Sequence, residues 1–514
     1  MQTLASCRCY LGPRVECLPS LPSLRPPVVP ARFKPGWNDV SWHNERMESP
    51  ILEQLAKEGV ILDQHYALPT CTPTRAALMT GRYPYKLGIQ SHGIRTLEPN
   101  GLPLGVTTLA EELKRTGYTT HAFGKWHLGY CNQSLTPTRR GFDTFRGFYV
   151  GGQDYFSHTL SGGKTSATAK GYDYRNGDEV DYSAKGVYTT TLIANHVLSA
   201  IEESQPDKPM FLYVAFQAVH APLQVPTQYR KMCSIYRNPK RKLLCEMLAV
   251  MDHAVGLIVK KLKMKDMWRN TLLVFISDNG GQILYGGNNW PLRGNKNTLF
   301  EGGTRVPAFV AGPLIRNGGR NSSSIIHVVD WFPTLLSAAG GESAESQLKD
   351  MDGVDQWAAI RDGTLDGTRT EFVYNLDCKK GKLVGAIRDG DLKFILKPSQ
   401  VRTGWYEEEL KGSENPEKLG RNPARMLFNI SADPLEKDDL FASLKTEAQR
   451  LEAKLRKRAL LLVSSRNPDD DPRGDPSFQT PSGTYGPGWC DAPEWTPPGT
   501  VLKRVRNDCE ASGL

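Results

Sequence analysis

No stretch of this 514-residue chain approaches the roughly 20 consecutive apolar residues of a membrane-spanning helix, so no membrane span is expected. It has no Cys-x-x-Cys pair and no zinc-finger spacing, so a structural zinc site is not expected either. Long Lys/Arg runs are missing, and a formal charge of +9 over this length gives no basis for nucleic-acid binding. The ten cysteines, scattered from Cys7 to Cys509, are too sparse for a small disulfide scaffold. The N-terminal "MQTLASCRCYLGPRVECLPSLPSLRPPVVPARFKPG" lacks an uninterrupted apolar core, because prolines and charges break each run. No signal peptide is recognisable there.

What is present is ordinary for a soluble globular protein. Hydrophobic residues make up 39% and charged residues 23%, and the length allows a large core and two unequal domains. The modest positive balance suits a polyanionic substrate, or simply a basic surface. Three Asn-x-Ser sequons, at Asn132, Asn321 and Asn429, suit a secretory protein.

"SPILEQLAKEGV" (49–60) carries a cap, a proline at the first helical position and a glycine stop, and predicts a helix. Short apolar runs then alternate with amphipathic segments. "MFLYVAF" (210–216) and "TLLVFIS" (271–277) predict strands covered on both faces. "VTTLAEELKRTGY" (106–118) and "CEMLAVMDHAVGLIVKKLK" (245–263) predict helices. "RVPAFVAGP" (305–313) adds a strand and "DWFPTLLSAAGG" (330–341) a helix. The alternation predicts an α/β domain over residues 36–375, with a large, mainly parallel sheet. Residues 376–514 read as a smaller α+β domain. Its hairpin, "KLVGAIRDGDLKFILKPS" (382–399), turns at Asp389-Gly390-Asp391, and a charged helix near 443–463 and a Pro/Gly-rich tail follow. Residues 1–35 read as irregular.

The chemistry gathers around "LPTCTPTRAALMTGRY" (68–83). Pro73 favours a first helical turn and Gly81 a C-terminal stop, which puts Cys71 at a helix N-terminus, where an anion is stabilised. Arg75 follows within about a turn. Taken alone, a half-buried cysteine before an ordinary helix explains this segment as well. Other polar groups, however, follow apolar strands: Lys125 and His127 in "THAFGKWHLG", His220 in "FLYVAFQAVHAPL", and Asp278 and Asn279 in "LLVFISDNGG". Lys296 lies in the Gly-rich "NNWPLRGNKNTLFEGGTRVP". Ligands of open parallel sheets bind beyond the carboxyl ends of strands, so these groups can converge on one crevice.

"CTPTRAALMTGRY" resembles the first signature of the sulfatase family, Cys-x-Pro-x-Arg followed by Thr-Gly-Arg, and "GYTTHAFGKWHLG" resembles its second. "SDNGG", "NNWPLRGNK", "FEGGTRVP" and "LFNISADPLEKDDL" are similar to its later loops, and "NNWPLRG" is most like the arylsulfatase B and related arylsulfatase branch. The resemblance implies an alkaline-phosphatase-like sulfatase fold, a large mixed, mostly parallel sheet flanked by helices plus a smaller antiparallel C-terminal sheet. It implies hydrolysis of sulfate esters, such as N-acetylgalactosamine 4-sulfate or similar glycosaminoglycan sulfates. Cys71 would be converted to formylglycine by the formylglycine-generating enzyme. Arg75 and Lys125 would hold that group, His127 would be the base, and His220 and Lys296 would grip the sulfate and protonate the leaving oxygen. A calcium ion would be held by Asp278, Asn279 and the group at Cys71. The location implied is lysosomal or secreted. A phosphatase of the related superfamily would instead carry Ser or Thr at position 71.

One departure stands out. The family's other two metal ligands are adjacent aspartates ending its first strand, a few residues before "GWNDVSWHN". Here "RPPVVPARFKP" precedes Gly36, with one apolar doublet and no aspartate, so both the strand and the pair are expected to be missing. Losing some six doubly buried residues would forfeit about 9–18 kcal/mol. Asp39 lies at a position the family does not use for the metal. A catalytically impaired protein that at most binds sulfated glycans is the alternative reading.

Overall fold

The computed structural model describes residues 28–33, 35–162, 169–205, 208–340, 350–364, 369–407, 421–479, 481–495 and 509. The rest, including residues 1–27 of the segment read as irregular, lie outside the described residues. In chain order the first strands are β1 (Val28–Phe33), β2 (Val60–Leu62), β3 (His65–Tyr66), β4 (Thr119–Lys125), β5 (Thr144–Phe148), β6 (Thr159–Ser161), β7 (Lys170–Tyr172), β8 (Arg175–Asn176) and β9 (Glu179–Val180). There follow β10 (Met210–Ala215), β11 (Leu272–Ser277), β12 (Ala308–Ala311), β13 (Arg320–Ser322), β14 (Ile326–His327), β15 (Glu371–Lys379), β16 (Lys382–Asp389), β17 (Leu392–Leu396) and β18 (Arg425–Asn429).

Ten of these form one sheet in the order β13-β2-β12-β11-β1-β10-β4-β5-β8-β9. Its centre, from β11 to β5, is parallel; antiparallel pairing to β12 and to β8 begins each flank, and the outermost pair on the β12 side, β2 and β13, is parallel again. The apolar runs behave as expected of strands covered twice. In β10, Met210, Leu212 and Val214 join a core with the helices α4 (Thr189–Glu202) and α5 (Pro239–Met264). Phe211, Tyr213 and Ala215 join the core on the other face, with α2 (Cys71–Thr80) and α3 (Leu109–Arg115). The helix expected after Ser49 is α1 (Pro50–Glu58), packed on α5.

The missing first strand is a correction. Val28–Phe33 forms a strand at the centre of the sheet, parallel to both β10 and β11, with Phe33 level with Ser277. Ser277 Oγ also donates to the carbonyl of Pro35 (2.8 Å). The hydropathy pattern concealed this strand because Pro30 and Arg32 interrupt it and further prolines and cations flank it. A ladder position needs only backbone, and Pro30 forgoes just its own N–H. The aspartate pair is still missing, for the sequence holds no carboxylate between Glu16 and Asp39.

The strands β15-β16-β17-β18 make an antiparallel sheet, with the expected hairpin turning at Gly390 (φ 59°). This sheet is tied to β3 and to the short helix Glu301–Thr304 by a buried charge cluster. Lys393 Nζ of β17 lies 2.8 Å from a carboxylate oxygen of Glu301 and 2.8 Å from one of Glu436. Tyr66 and Tyr374 also donate to Glu301 (2.8 and 2.9 Å). Burial, with Glu301 adding repulsion, pushes Glu436 from 4.5 up to about 7 against the pull of Lys393.

Lys393→Met strands two buried carboxylates and should cost about 3–5 kcal/mol, read by urea denaturation. The sign for Glu436 also follows. Between 4.5 and about 7 the folded protein keeps a proton that the unfolded chain releases, so this group's contribution to stability falls as pH rises through that window. In Glu436→Gln the pH–stability curve should be flatter there.

Candidate active site

The six residues expected to act, and the two expected oxygen ligands, meet at the carboxyl ends of the parallel strands. Cys71 opens α2, which ends at Gly81 in the left-handed region (φ 64°), as the sequence predicted. Thr74 fixes the turn before it, accepting from Leu68 N (3.0 Å) and donating to Thr70 O (3.0 Å). Cys71 is buried and reduced, while the other described cysteines pair as Cys131–Cys490, Cys233–Cys245 and Cys378–Cys509. Its Sγ lies 3.2 Å from Asn279 Oδ1 and 3.6 Å from Lys296 Nζ.

Arg75, one turn on, is fully buried and runs beneath this pair. It donates to Asp278 Oδ2 (3.1 Å), Lys125 O (2.7 Å) and Tyr213 Oη (3.2 Å). Burial acts against its charge, but Tyr213, Asp278 and Cys71 outweigh burial and raise its pKa. Lys296 follows the same logic: burial opposes the ammonium, and Cys71 and Asp278 hold its pKa above the usual value.

On the other flank Lys125 Nζ donates to Gly151 O, and His127 Nε2 lies 2.9 Å from Ile94 O. Thr72 Oγ1 donates to His127 O (3.0 Å) and accepts from Ile94 N (3.1 Å), so α2 itself sets this histidine's backbone. A methyl built on Gly151 would stand 2.8 Å from His127 Nε2, and one on Gly152 3.0 Å from His220 Nδ1. The Gly-Gly pair thus brings both imidazoles to the same wall. Sequence reasoning missed Tyr213, Thr72 and Gly151-Gly152; the double glycine in "FYVGGQDY" was the available signal.

Asp278 and Asn279 follow directly on β11 and offer the oxygens that a hard cation takes. Asp278 Oδ1 is buried and takes no hydrogen bond, which fits an atom that faces a cation. The opposite side does not fit. Phe33 ends β1 level with Ser277, no carboxylate lies near it in sequence, and no group of three His, Cys, Asp or Glu suited to a metal occurs among the described residues. Asp39 is occupied elsewhere, bound to Arg241, Gly36 N (2.6 Å) and Asn288 N (2.9 Å). It is a structural carboxylate.

Residues 35–341 match the family model described as Sulfatase. Arylsulfatase J of Mus musculus is 36% identical over 477 residues, covering 88% of this chain and 78% of that protein. N-acetylgalactosamine-6-sulfatase of Mus musculus is 31% identical over 398 residues, covering 74% and 72%. Among solved structures, Ps i-CgsB in complex with k-i-k-neocarrahexaose is similar with a TM-score of 0.74 and 28% identity, over 87% of this chain and 95% of that one.

Gly151→Ala should push the His127 ring aside. Aryl sulfate hydrolysis should fall by about 10²-fold, as a misplacement near 1 Å does, with the melting temperature within a few degrees of the parent.

Proposed function

We propose that this chain, which belongs to the sulfatase family, hydrolyses sulfate esters of sugars through a formylglycine made from Cys71. The observation that carries the reading is the convergence of Arg75, Lys125, His127, His220 and Lys296 around a buried, reduced Cys71. An aldehyde at position 71 would hydrate to a gem-diol, one hydroxyl taking the sulfuryl group and the other letting the ester collapse to aldehyde and sulfate.

The chain's own residues take these roles. Arg75 and Lys125 hold the oxygens on residue 71 from below. His127 removes the proton that starts the collapse. His220 and Lys296 hold the sulfate, and a proton from one of them leaves with the sugar oxygen. A preorganised cationic pocket of this kind stabilises the charge that develops on the transferring group.

Calcium is the cation we assign, bound weakly through Asp278, Asn279 and the group at position 71. We draw no step through it, because half of its carboxylate set is missing. We assign the substrate to N-acetylgalactosamine 4-sulfate or a similar glycosaminoglycan sulfate: the "NNWPLRG" loop supports the 4-sulfate, and relatives named Arylsulfatase J and N-acetylgalactosamine-6-sulfatase support the wider class of sulfated sugars. A lysosomal or secreted location agrees with three disulfides, which persist in oxidising compartments. The missing aspartates favour a second reading, a protein that binds sulfated glycans without turning them over.

Two measurements separate the readings. Mass spectrometry of the Cys71 peptide should find formylglycine, and the purified protein should hydrolyse 4-nitrocatechol sulfate; an unmodified thiol without turnover selects the binding protein. Calcium titration should give a dissociation constant of about 10⁻⁴–10⁻³ M, and Asp placed at both positions 33 and 34 should tighten it by about tenfold or more. Unchanged affinity in that variant would refute the account of the incomplete site.

A further inference from the structure

The exposed positive charge of the four-stranded sheet is gathered at one end. Lys379, Lys380 and Lys382 stand exposed at the β15–β16 turn, Lys397 follows β17, and Arg425 opens β18. Among the described residues none of these four lysines has an ion-pair partner, whereas Arg425 is held by Glu452 (2.7 Å). Lost water and the nearby Lys382, Arg456 and Arg425 hold the Lys397 ammonium below its usual pKa, a mark of crowded like charge.

Two stretches of chain lead from this end to the pocket. Beside β15, Asp377 accepts from Gln90 Nε2 (3.2 Å) and Ser91 Oγ (2.5 Å). Two residues on, a methyl built on Gly93 would lie 2.8 Å from His127 Cε1. Asp377 and Lys379 are also two residues apart, so the turn lies within roughly 30 Å of His127. On the other route, the exposed Arg402 follows Lys397, and its carbonyl accepts from Asn295 Nδ2 (3.0 Å), next to Lys296. The half-buried His92 and Arg95 line the first route, with Arg95 paired to Glu98 (3.4 Å) and Asp470 (3.1 Å).

We propose that Lys379, Lys380, Lys382 and Lys397 form an extended binding surface for the sulfated glycan chain that carries the scissile ester. Sulfates and carboxylates several sugars away from the reacting unit engage these lysines while one sulfate enters the pocket. Lysine suits this task, because it attracts anions as a flexible point charge and does not demand one sugar geometry. The proposal rests on the reading of the pocket as a site for sulfated sugars. Continuity with that pocket selects a glycan over a nucleic acid or an acidic peptide.

The test is Lys379→Glu, Lys380→Glu and Lys382→Glu combined in the full chain, with Lys397 left in place. For a sulfated chondroitin dodecasaccharide, kcat/KM should fall by about tenfold or more through KM and lose its steep salt dependence. Hydrolysis of 4-nitrocatechol sulfate and the melting temperature should be unchanged. Equal losses on both substrates, or none on either, would overturn the proposal. A wild-type protein inactive on both would refute the hydrolase reading alone, and calorimetry would then decide the surface. Dodecasaccharide binding about tenfold tighter than that of a sulfated disaccharide, and lost in the triple variant, supports it. Length-independent affinity, or tighter binding of single-stranded DNA of equal charge, overturns it.

Discussion

Arg75 sits fully enclosed, reaching three neighbouring strands from the first turn of α2: Asp278 after β11, the carbonyl of Lys125 at the end of β4, and the hydroxyl of Tyr213 within β10. A buried guanidinium loses several kcal/mol of hydration, which only well-placed partners restore. The helix bearing Cys71 therefore cannot shift against the sheet without stranding that charge. Every other group in the pocket takes its position from this frame. Lys125 and His127 extend β4, Asn279 follows Asp278, and Lys296 approaches the sulfur from a loop held to residues 402–406.

The frame also explains how a weakened cation site can coexist with an intact cationic pocket. The end of β1 carries no carboxylate, whereas the cationic side chains come from α2, β4 and the loops after β10 and β11. These are separate pieces of chain, so change in one leaves the other standing. Asp278 serves both, giving one oxygen to Arg75 and leaving the other unpartnered.

Much of the centre was legible in the sequence, because the parallel strands are continuously apolar and each ends in polar residues. The helix at Cys71 was legible from Pro73 and Gly81. β1 was not, because its strand character comes from two neighbours' backbones, and its own side chains carry no periodic signal. Disulfide pairing was equally hidden: Cys131 and Cys490 lie 359 residues apart, and no spacing rule spans that distance. Thr72, Tyr213 and Gly151-Gly152 act through close contacts that exist only once distant strands are side by side.

The pairing of Cys131 with Cys490 closes a long seam. After the helix Lys445–Ala459, Val463 and Arg466 bond back to Tyr85 and Gly88, Gly488 and Trp489 to Cys131, and Trp495 to Leu104. Residues 463–495 thus fasten the stretch from Tyr85, just after α2, to Cys131. During synthesis, the stretch that follows the Cys71 helix stays uncovered until residues 463–495 have been made and packed back on it. Any catalyst that must grasp this thiol, which the finished fold encloses, has that interval in which to act.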